Sequence, residues 1–348
     1  MKSNKKASKK KHWDILGIGS PLFDIVINIS EEMLVKLNFK KGSMNLISKA
    51  ESENIFQQFK NIKLELTPGG SVSNTLSGAN LLGSRVSFLG LVGQDEHGKK
   101  YQEKIEAEGV ASHLCFHDNG MTGHAIVFVT PDGERTMATH LGASVNFNKN
   151  HIQEKEIKRA KILHIEAYQL ENSVSRQAIL HAVEIAKKND VLVSLDLSDT
   201  QLIKRNKKLF LQIVKKHIDI VFANEEEATA FSGKKNSRKA LHEIAKSCRI
   251  AIVKLGEKGS LIEKDEKVFE ISPQKVKVIN TNGAGDMYAA GILHGLINNL
   301  DLGEAGKIAS HVSALVVASS SARLNKKHLN LIKNKLRLII RFKSYLTR

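Results

Sequence analysis

Short β-branched segments alternate with amphipathic segments through much of the second half of the chain, and this alternation restricts the fold more than any other feature. From about residue 155 the order is KILHIEA, SVSRQAILHAVEIAKKND, VLVSLDL, LFLQIVKKHI, DIVFA, SRKALHEIAKSC and RIAIVKL. Strands that are separated by helices run parallel, because parallel neighbours need a crossover connection. The sequence therefore predicts an α/β fold, with a mostly parallel sheet and helices on its faces.

The first half of the chain has a different pattern. HAIVFVTPDGERTMATHL predicts two strands around a Thr-Pro-Asp-Gly turn, with proline in its favoured second position. FDIVINI predicts a further strand with no helix signal close behind it. These segments, at roughly 22–50 and 112–142, predict a small β lid over the main sheet.

Composition indicates a cytoplasmic protein of one large domain, or one domain with a lid. The chain has 348 residues, 41% of them hydrophobic, which suffices for a substantial core. The two cysteines, Cys115 and Cys248, suggest neither a disulfide framework nor a cysteine metal site and fit a reducing compartment. No apolar run reaches 18 residues, and Asp14 and Asp24 interrupt the first apolar stretch, so neither export nor membrane spanning is expected.

The net charge of +17 is concentrated in the two tails. Residues 1–12 contain six lysines and no acid, and residues 323–348 contain nine Lys or Arg and no acid, so the body 13–322 is left at +2. We therefore expect no specific nucleic-acid face in the fold, although weak contact of either tail with a polyanion or a membrane surface stays open.

The C-terminal tail carries apolar residues at helical spacing. These residues are Leu329, Ile332, Leu336 and Ile339. The spacing predicts a terminal helix that packs on the core with its lysines in solvent. A helix that binds a membrane surface or a partner is the alternative.

The segment NTNGAGDMYAAG combines a glycine-rich turn with the start of a helix. Gly283, Ala284 and Gly285 can present consecutive backbone N–H groups to an anion, at the positive end of the helix dipole. Asp286 follows directly, where negative charge is disfavoured. Two interpretations are open: Asp286 caps the helix, or it takes a proton from a group that attacks a bound phosphate.

Two further segments contain candidate ligand-binding groups. In TPGGSVSN, Gly69 and Gly70 allow close backbone approach, and Asn74 lies one turn into a helix, where its amide can bind a polyhydroxylated ligand. A tight turn that enters a helix is the alternative. Asp24 is an acid between apolar neighbours in a predicted strand, so it either faces solvent or holds ligand hydroxyls.

The segment ANEEEATAF follows a predicted strand. Asn224 is expected to cap a helix whose first turn holds three glutamates, as the helix dipole favours. Alternatively, Asn224 and Glu227 share one helix face and order water around a Mg²⁺ ion that a nucleotide carries.

Other motifs add little by themselves. Gly256 and Gly259 bracket a turn between strands. His113 and His117 lack a convincing third ligand, so no direct set of protein metal ligands is expected. The lysine-bearing phosphate loop G-x-x-x-x-G-K-[ST] is absent from the sequence.

The order and spacing of these motifs resemble those of the ribokinase-like, PfkB-type carbohydrate and nucleoside kinases. The matching segments are GGSVSN with LGSRVSFLGLVGQDEHG, NEEE, KLGEKGS and NTNGAGDMYAAG, and the resemblance covers about 13–322. It implies a three-layer αβα sandwich with a β lid, in a monomer or a homodimer. It also implies ATP and Mg²⁺ as cofactors, with a monovalent cation such as K⁺ left open.

The resemblance also implies roles for individual residues. Asp286 would be the catalytic base, and Gly283, Ala284 and Gly285 the anion hole. The acceptor would be held by Asp24, Gly69, Gly70 and Asn74. Asn224 and Glu227 would lie near Mg²⁺ and the phosphates, and the nucleotide would contact Lys254, Gly256, Gly259 and Thr281.

Within the family, KGSMNLI, PDGERTMATHLGAS and SLDLSDT most resemble the adenosine-kinase-like bacterial branch. This implies phosphorylation of the 5′-hydroxyl of adenosine to AMP, as in purine salvage. Arg135 on the lid would then reach the transferring phosphate, and Asn45 would line the acceptor pocket. A kinase of ribose, fructose or a related free sugar is the alternative, and a non-catalytic nucleoside- or sugar-binding protein is a third.

The sequence also departs from the family pattern. Asn280 stands where aspartate usually opens the second signature, and Lys254 stands where threonine is common. Ser20 replaces an asparagine that is frequent in the nucleoside branch, and SSSARL replaces a usual Gly-Ala-Arg-Pro. None of these changes removes Asp286.

Overall fold

The structure is a computed structural model that describes residues 11–62 and 64–334. Residues 1–10, most of the basic N-terminal tail, therefore lie outside the described part. Leu336 and Ile339, half of the apolar set in the predicted terminal helix, lie outside it too.

The described chain alternates strands and helices in the order that the sequence predicts. The strands are β1 (Trp13–Ile18), β2 (Leu22–Asn28), β3 (Met44–Leu46), β4 (Leu66–Gly69), β5 (Val86–Leu89), β6 (Leu91–Gly93), β7 (Ala111–Ser112), β8 (Cys115–His117), β9 (Gly123–Val129), β10 (Arg135–His140), β11 (Ala160–Glu166), β12 (Leu192–Asp196), β13 (Ile220–Asn224), β14 (Ile250–Lys254), β15 (Ser260–Lys264) and β16 (Lys267–Ile271). The helices are α1 (Glu31–Lys36), α2 (Lys49–Gln58), α3 (Ser71–Leu81), α4 (Glu96–Ala107), α5 (Glu154–Lys158), α6 (Ser173–Lys188), α7 (Thr200–His217), α8 (Glu225–Ser232), α9 (Ser237–Ala245), α10 (Ala284–Ile297) and α11 (Leu302–Val317).

The main sheet has nine strands in the order β16-β15-β14-β13-β12-β11-β1-β5-β7. The strands from β14 to β7 run parallel, and β15 and β16 add antiparallel strands at one edge. Neighbouring residues of one strand point to opposite faces: Val221 packs in one hydrophobic cluster, and Ile220 and Phe222 pack in another. Helices cover both faces, which confirms the predicted three-layer α/β fold.

The lid is a separate five-stranded sheet in the order β3-β10-β9-β2-β4. β9 and β10 form an antiparallel hairpin around the Thr-Pro-Asp-Gly turn, with Arg135 opposite Val129, as the sequence predicts. One lid face packs on α1 and α2 through a cluster that includes Ile27 and Phe128. β4 runs directly into the glycine pair before α3, and so joins the lid to the main domain.

Helices α10 and α11 lie side by side with little space between their backbones. A Cβ atom built on Gly291 of α10 would lie 2.4 Å from the Cα atom of Ala309 on α11. On its other side α10 packs on α3, where a Cβ atom on Gly78 would lie 2.7 Å from the Sδ atom of Met287. Small residues at both contacts therefore set the position of α10.

The described part of the C-terminal segment packs on this helix layer. Leu324 and Ile332 are buried in a cluster with Met287 and Val312. Leu331, in contrast, is 54% exposed. None of the helices in residues 11–62 and 64–334 combines the length and apolar character needed to cross a membrane.

Replacing Gly291 with alanine tests the close packing of α10 on α11. An alanine in an open helix position raises helix stability by about 1 kcal/mol relative to glycine. Here the added methyl group meets backbone atoms, so we expect Gly291→Ala to lower the free energy of unfolding by about 1–3 kcal/mol. Urea denaturation measures this difference, and a rise in the midpoint would contradict the packing.

Candidate active site

The carboxylate of Asp286 is held from a neighbouring helix. Its Oδ1 atom accepts a hydrogen bond from the hydroxyl of Ser71 at 2.7 Å, and its Oδ2 atom accepts one from the amide of Asn74 at 2.8 Å. Thr75 on the same helix, α3, donates to the backbone carbonyl of Asp286 at 3.2 Å. The N-cap of α10 is Gly283, so the carboxylate of Asp286 does not cap its own helix.

Asp286 is buried and has an altered acidity. Burial raises the pKa of Asp286 above its ordinary value, while the hydrogen bonds from Asn74 and Ser71 oppose that rise. A carboxylate with a raised pKa is a better proton acceptor than an ordinary one. The arrangement can therefore accept a proton at the mouth of α10.

The glycine-rich turn before Asp286 forms the N-terminus of α10. Gly283 adopts a left-handed backbone with φ of 75°, which glycine tolerates. The N–H groups of the first helical turn have no partner within the helix and form a site that favours anions. Lys254 lies beside this turn: a Cβ atom built on Gly285 would be 3.1 Å from the Nζ atom.

Lys254 forms an ion pair that sequence reasoning missed. Its Nζ atom lies 2.9 Å from the Oδ2 atom of Asp196, at the end of β12. Burial works to lower the pKa of Lys254, but the carboxylates of Asp196 and Glu227 outweigh it and leave that pKa above its ordinary value. Lys254 is therefore a charged lysine at the edge of the anion site. The sequence signals for Asp196 were an acid at the end of a predicted strand and its place in SLDLSDT, a segment that resembles the adenosine-kinase-like branch.

Asn224 and Glu227 form a capping box at the start of α8. The side chain of Asn224 accepts from the backbone of Glu227 at 2.8 Å, and Glu227 accepts from the backbone of Asn224 at 2.8 Å. This is the helix-capping geometry that the sequence predicts. Burial raises the pKa of Glu227 to about 7, with Lys254 acting against that rise.

The same two side chains also line the cavity, together with Asp196. Carboxylate and amide oxygens are the ligand type that Mg²⁺ prefers, usually with several waters retained. The donor set at this end of the cavity therefore fits a magnesium ion that arrives with a nucleotide.

The acceptor end of the cavity contains Asp24 and the glycine pair. A Cβ atom on Gly69 would lie 2.3 Å from the Oδ1 atom of Asp24, so position 69 requires glycine. Gly70 has φ of 88°, and a Cβ atom there would lie 2.2 Å from the carbonyl oxygen of Ser20. Burial raises the pKa of Asp24 to about 6, while the charge of Arg323 lowers it.

Glu166 is a second carboxylate in the cavity wall that sequence reasoning missed. It lies at the end of β11, and its two oxygens accept from the backbone N–H groups of Ser20 at 2.8 Å and Val72 at 3.2 Å. Burial raises the pKa of Glu166 to about 7, although these hydrogen bonds lower it. Glu166 thus joins the turn after β1 to the first turn of α3. The only sequence signal for Glu166 was that it is an acid near the end of the predicted strand KILHIEA.

Apolar side chains from the lid strands, and from the residue that follows β10, also line the cavity. They are Leu22, Met44, Leu46, Ala125, Met137 and Leu141. Asn45 lies among them and donates to the hydroxyl of Ser43 at 3.0 Å and to the carbonyl of Met137 at 3.2 Å. The acceptor end therefore combines carboxylates with an apolar surface.

Most of the predicted site residues come together in one cavity of about 950 Å³. Those that line it are Asp24, Asn45, Gly70, Asn74, Asn224, Glu227, Lys254, Gly256, Thr281, Gly283, Gly285 and Asp286. The lining does not include Gly69, Ala284, Arg135 or Gly259. Arg135 instead donates to the carbonyl of Ser320 at 3.5 Å, and Gly259 packs against the carbonyl of Ile271.

A carboxylate beside an anion-binding helix N-terminus, beneath a β lid, is the arrangement of a small-molecule phosphotransferase. The family model for pfkB family carbohydrate kinases matches residues 37–328. The chain belongs to this family of kinases, as its motifs predict.

Comparison with individual proteins supports the same assignment. A 5-dehydro-2-deoxygluconokinase from Clostridium botulinum is 30% identical over 267 residues, which cover 73% of this chain and 79% of that protein. Among solved structures, a probable sugar kinase from Rhizobium etli superimposes with a TM-score of 0.87 at 29% identity, covering 93% of this chain and 98% of that one. Adenosine kinase from Sinorhizobium meliloti has a TM-score of 0.86 at 29% identity, covering 92% and 99%.

The acidity of Glu166 predicts a pH-dependent stability. Its folded-state pKa of about 7 is above the ordinary value of 4.5, so the folded protein binds this proton more tightly than the unfolded chain does. The contribution is present at low pH and is lost as the pH rises through 7. Relative to Glu166→Gln, the wild type should lose on the order of 2 kcal/mol between pH 5 and pH 8.

Urea denaturation at both pH values measures this difference. The matched control is Glu103→Gln, which changes an exposed glutamate on α4 and should give the same difference from wild type at both pH values. A pH-independent difference between wild type and Glu166→Gln would show that Glu166 is ionised in both states.

Proposed function

We propose that the protein transfers the γ-phosphoryl group of ATP to a hydroxyl of a small polyhydroxylated acceptor, with Asp286 as general base. The observation that carries this proposal is the position of Asp286. Its buried carboxylate lies at the N-terminus of α10 and is held at both oxygens by α3. Proton acceptor and anion site are thereby adjacent, as phosphoryl transfer to an alcohol requires.

Different groups of the chain would contribute to different parts of this reaction. ATP, with its Mg²⁺, supplies the phosphoryl group. The backbone N–H groups of Gly283 and Gly285, which line the cavity, and the ammonium of Lys254 would stabilise negative charge on the transferred group. Asn224 and Glu227, together with Asp196, would order the waters around the magnesium ion. Asp286 would take the proton from the acceptor hydroxyl as the new O–P bond forms.

Adenosine is our first candidate for the acceptor. The apolar wall that includes Met44, Leu46 and Met137 offers a surface for a nucleobase, and Asp24 can accept hydrogen bonds from ribose hydroxyls. The similarity to adenosine kinase from Sinorhizobium meliloti also supports this choice.

A free sugar is the second candidate, and the names of the sequence relatives favour it over adenosine. The family is described as carbohydrate kinases, and the relative from Clostridium botulinum is a 5-dehydro-2-deoxygluconokinase. Asp24 and Asn74 would serve a sugar as well as they serve the ribose of a nucleoside. A panel of acceptors that contains both classes therefore decides the substrate.

Replacing Asp286 with asparagine tests the general base. We expect kcat for phosphoryl transfer to fall about 10²–10⁴-fold, because asparagine cannot accept the proton. Binding of ADP, followed by thermal shift, should persist because the glycine turn is unchanged. The control is Asp265→Asn in the exposed β15–β16 turn, which should retain full activity. An unchanged rate in Asp286→Asn would exclude the proposed role, and activity in the wild type would exclude a non-catalytic binding protein.

Thermal shift with adenosine, ribose and fructose separates the two acceptor classes. We expect stabilisation by adenosine, and stabilisation by a sugar alone would put the second candidate first. Leu46→Asn should raise KM for adenosine about tenfold, because it removes an apolar contact with the base. The exposed aliphatic Val35 on α1, outside the cavity lining, provides the control: Val35→Asn should leave KM unchanged.

A further inference from the structure

Arg323 is a buried arginine, and each of the three nitrogens of its guanidinium group donates a hydrogen bond. It is 5% exposed and lies in the segment after α11. Its Nε atom donates to the Oδ1 atom of Asn74 at 2.7 Å, and its Nη2 atom donates to the hydroxyl of Ser73 at 2.7 Å and to the carbonyl of Gly69 at 3.3 Å. Its Nη1 atom donates to Glu108 at 2.6 Å. A charge buried this deeply is stable only with such partners.

The contact between Arg323 and Asn74 determines which way the amide of Asn74 faces. The two ends of an asparagine amide have nearly the same shape, so their hydrogen-bond partners decide the orientation. A guanidinium group only donates, so the oxygen of Asn74 must face Arg323. The NH₂ group then faces Asp286 and donates to its Oδ2 atom at 2.8 Å. The opposite orientation would set the amide oxygen against a carboxylate.

We propose that Arg323 is a positioning residue for phosphoryl transfer: it orients Asn74 so that the amide NH₂ group holds Asp286. The inference rests on the proposed role of Asp286 as general base. Arg323 acts through Asn74 and donates no hydrogen bond to Asp286 among the described contacts.

The same guanidinium group supports the acceptor end of the cavity. The carbonyl of Gly69 accepts from Arg323 and also from the hydroxyl of Tyr101 at 2.8 Å. Gly69 in turn packs against the carboxylate of Asp24. Arg323 therefore links the position of the proposed base to the position of the acceptor-binding carboxylate.

The backbone that carries Arg323 is tied to the glycine turn. The side-chain amide of Asn280 donates to the carbonyl of Ser320 at 3.3 Å. A Cβ atom on Gly283 would lie 2.1 Å from the carbonyl oxygen of Ala322. These contacts fix Arg323 relative to the anion site as well as to α3.

Several elements place charged groups near Asp286, whereas α3 contributes the uncharged Ser71 and Asn74. The charged groups are Asp24 on β2, Glu166 on β11, Asp196 on β12, Lys254 on β14, and the Arg323–Glu108 pair behind Asn74. Burial raises the pKa of Asp286, and the hydrogen bond from Asn74 lowers it. Loss of that hydrogen bond should therefore raise the pKa further, while the other charges stay in place.

Arg323→Lys tests the orientation of Asn74 while it keeps the positive charge. One ammonium nitrogen cannot bind Asn74, Ser73 and Gly69 in the planar geometry of a guanidinium group. We expect kcat to fall about tenfold and KM for ATP to change less than about twofold. The acid limb of the kcat–pH profile should move to higher pH, by about half a pH unit to one pH unit.

The matched control is Arg249→Lys, the same substitution at an exposed arginine outside the cavity lining. It should leave kcat and the acid limb unchanged. In an Asn74→Ala background, Arg323→Lys should cause little further loss of kcat, because the side chain that Arg323 orients is absent. If Arg323→Lys does not fold, Arg323→Gln replaces it, since the glutamine amide keeps one donor for Asn74.

A titration that needs no turnover separates this inference from the proposed function. NMR of ¹³Cγ-labelled aspartates, with Asp286→Asn for assignment, reports the pKa of Asp286 directly. An upward shift in Arg323→Lys supports the positioning role even if no acceptor in the panel is phosphorylated. An unchanged pKa and an unchanged acid limb in an active enzyme would overturn the role of Arg323 and leave the proposed function intact.

Discussion

The close contact between α3 and α10 is the constraint on which the active site depends. Gly78 lets α3 approach Met287 on α10, and the approach sets Ser71 and Asn74 against Asp286. The carboxylate takes its hydrogen bonds from a neighbouring helix and therefore leaves the first N–H groups of α10 for another anion. The carboxylate of Asp286 and a bound anion can be adjacent here, because α3 supplies the hydrogen-bond donors of the carboxylate and α10 supplies those of the anion.

The cavity contains more acidic than basic groups, and this imbalance shapes its chemistry. Burial raises the pKa values of Asp24, Glu166 and Glu227, while Lys254 stays charged because carboxylates surround it. A nucleotide would add negative charge to this environment, and the two basic lining residues, Lys254 and Arg205, do not balance it. The imbalance is a physical reason to expect that a divalent cation accompanies ATP.

Local sequence signals predicted much of the fold and part of the site. Alternating strand and helix patterns predicted the parallel sheet, and the Thr-Pro-Asp-Gly turn predicted the β9–β10 hairpin of the lid. The capping of α8 by Asn224 was also predictable, because a capping box lies within four residues. No local signal predicted the contacts of Glu166 and Arg323, because their partners lie far away along the chain. Glu166 accepts from Ser20, and Arg323 donates to Asn74.

The sequence by itself determined the elements, the glycine turns and the residue types that the site contains, because these depend on periodicity and on backbone conformations that few residues adopt. Only the tertiary structure decided which groups share a hydrogen bond or a charge. Asn74 and Arg323 are 249 positions apart, yet their contact determines which end of an amide faces Asp286. Such pairings follow from how helices and strands pack, and no local pattern encodes them.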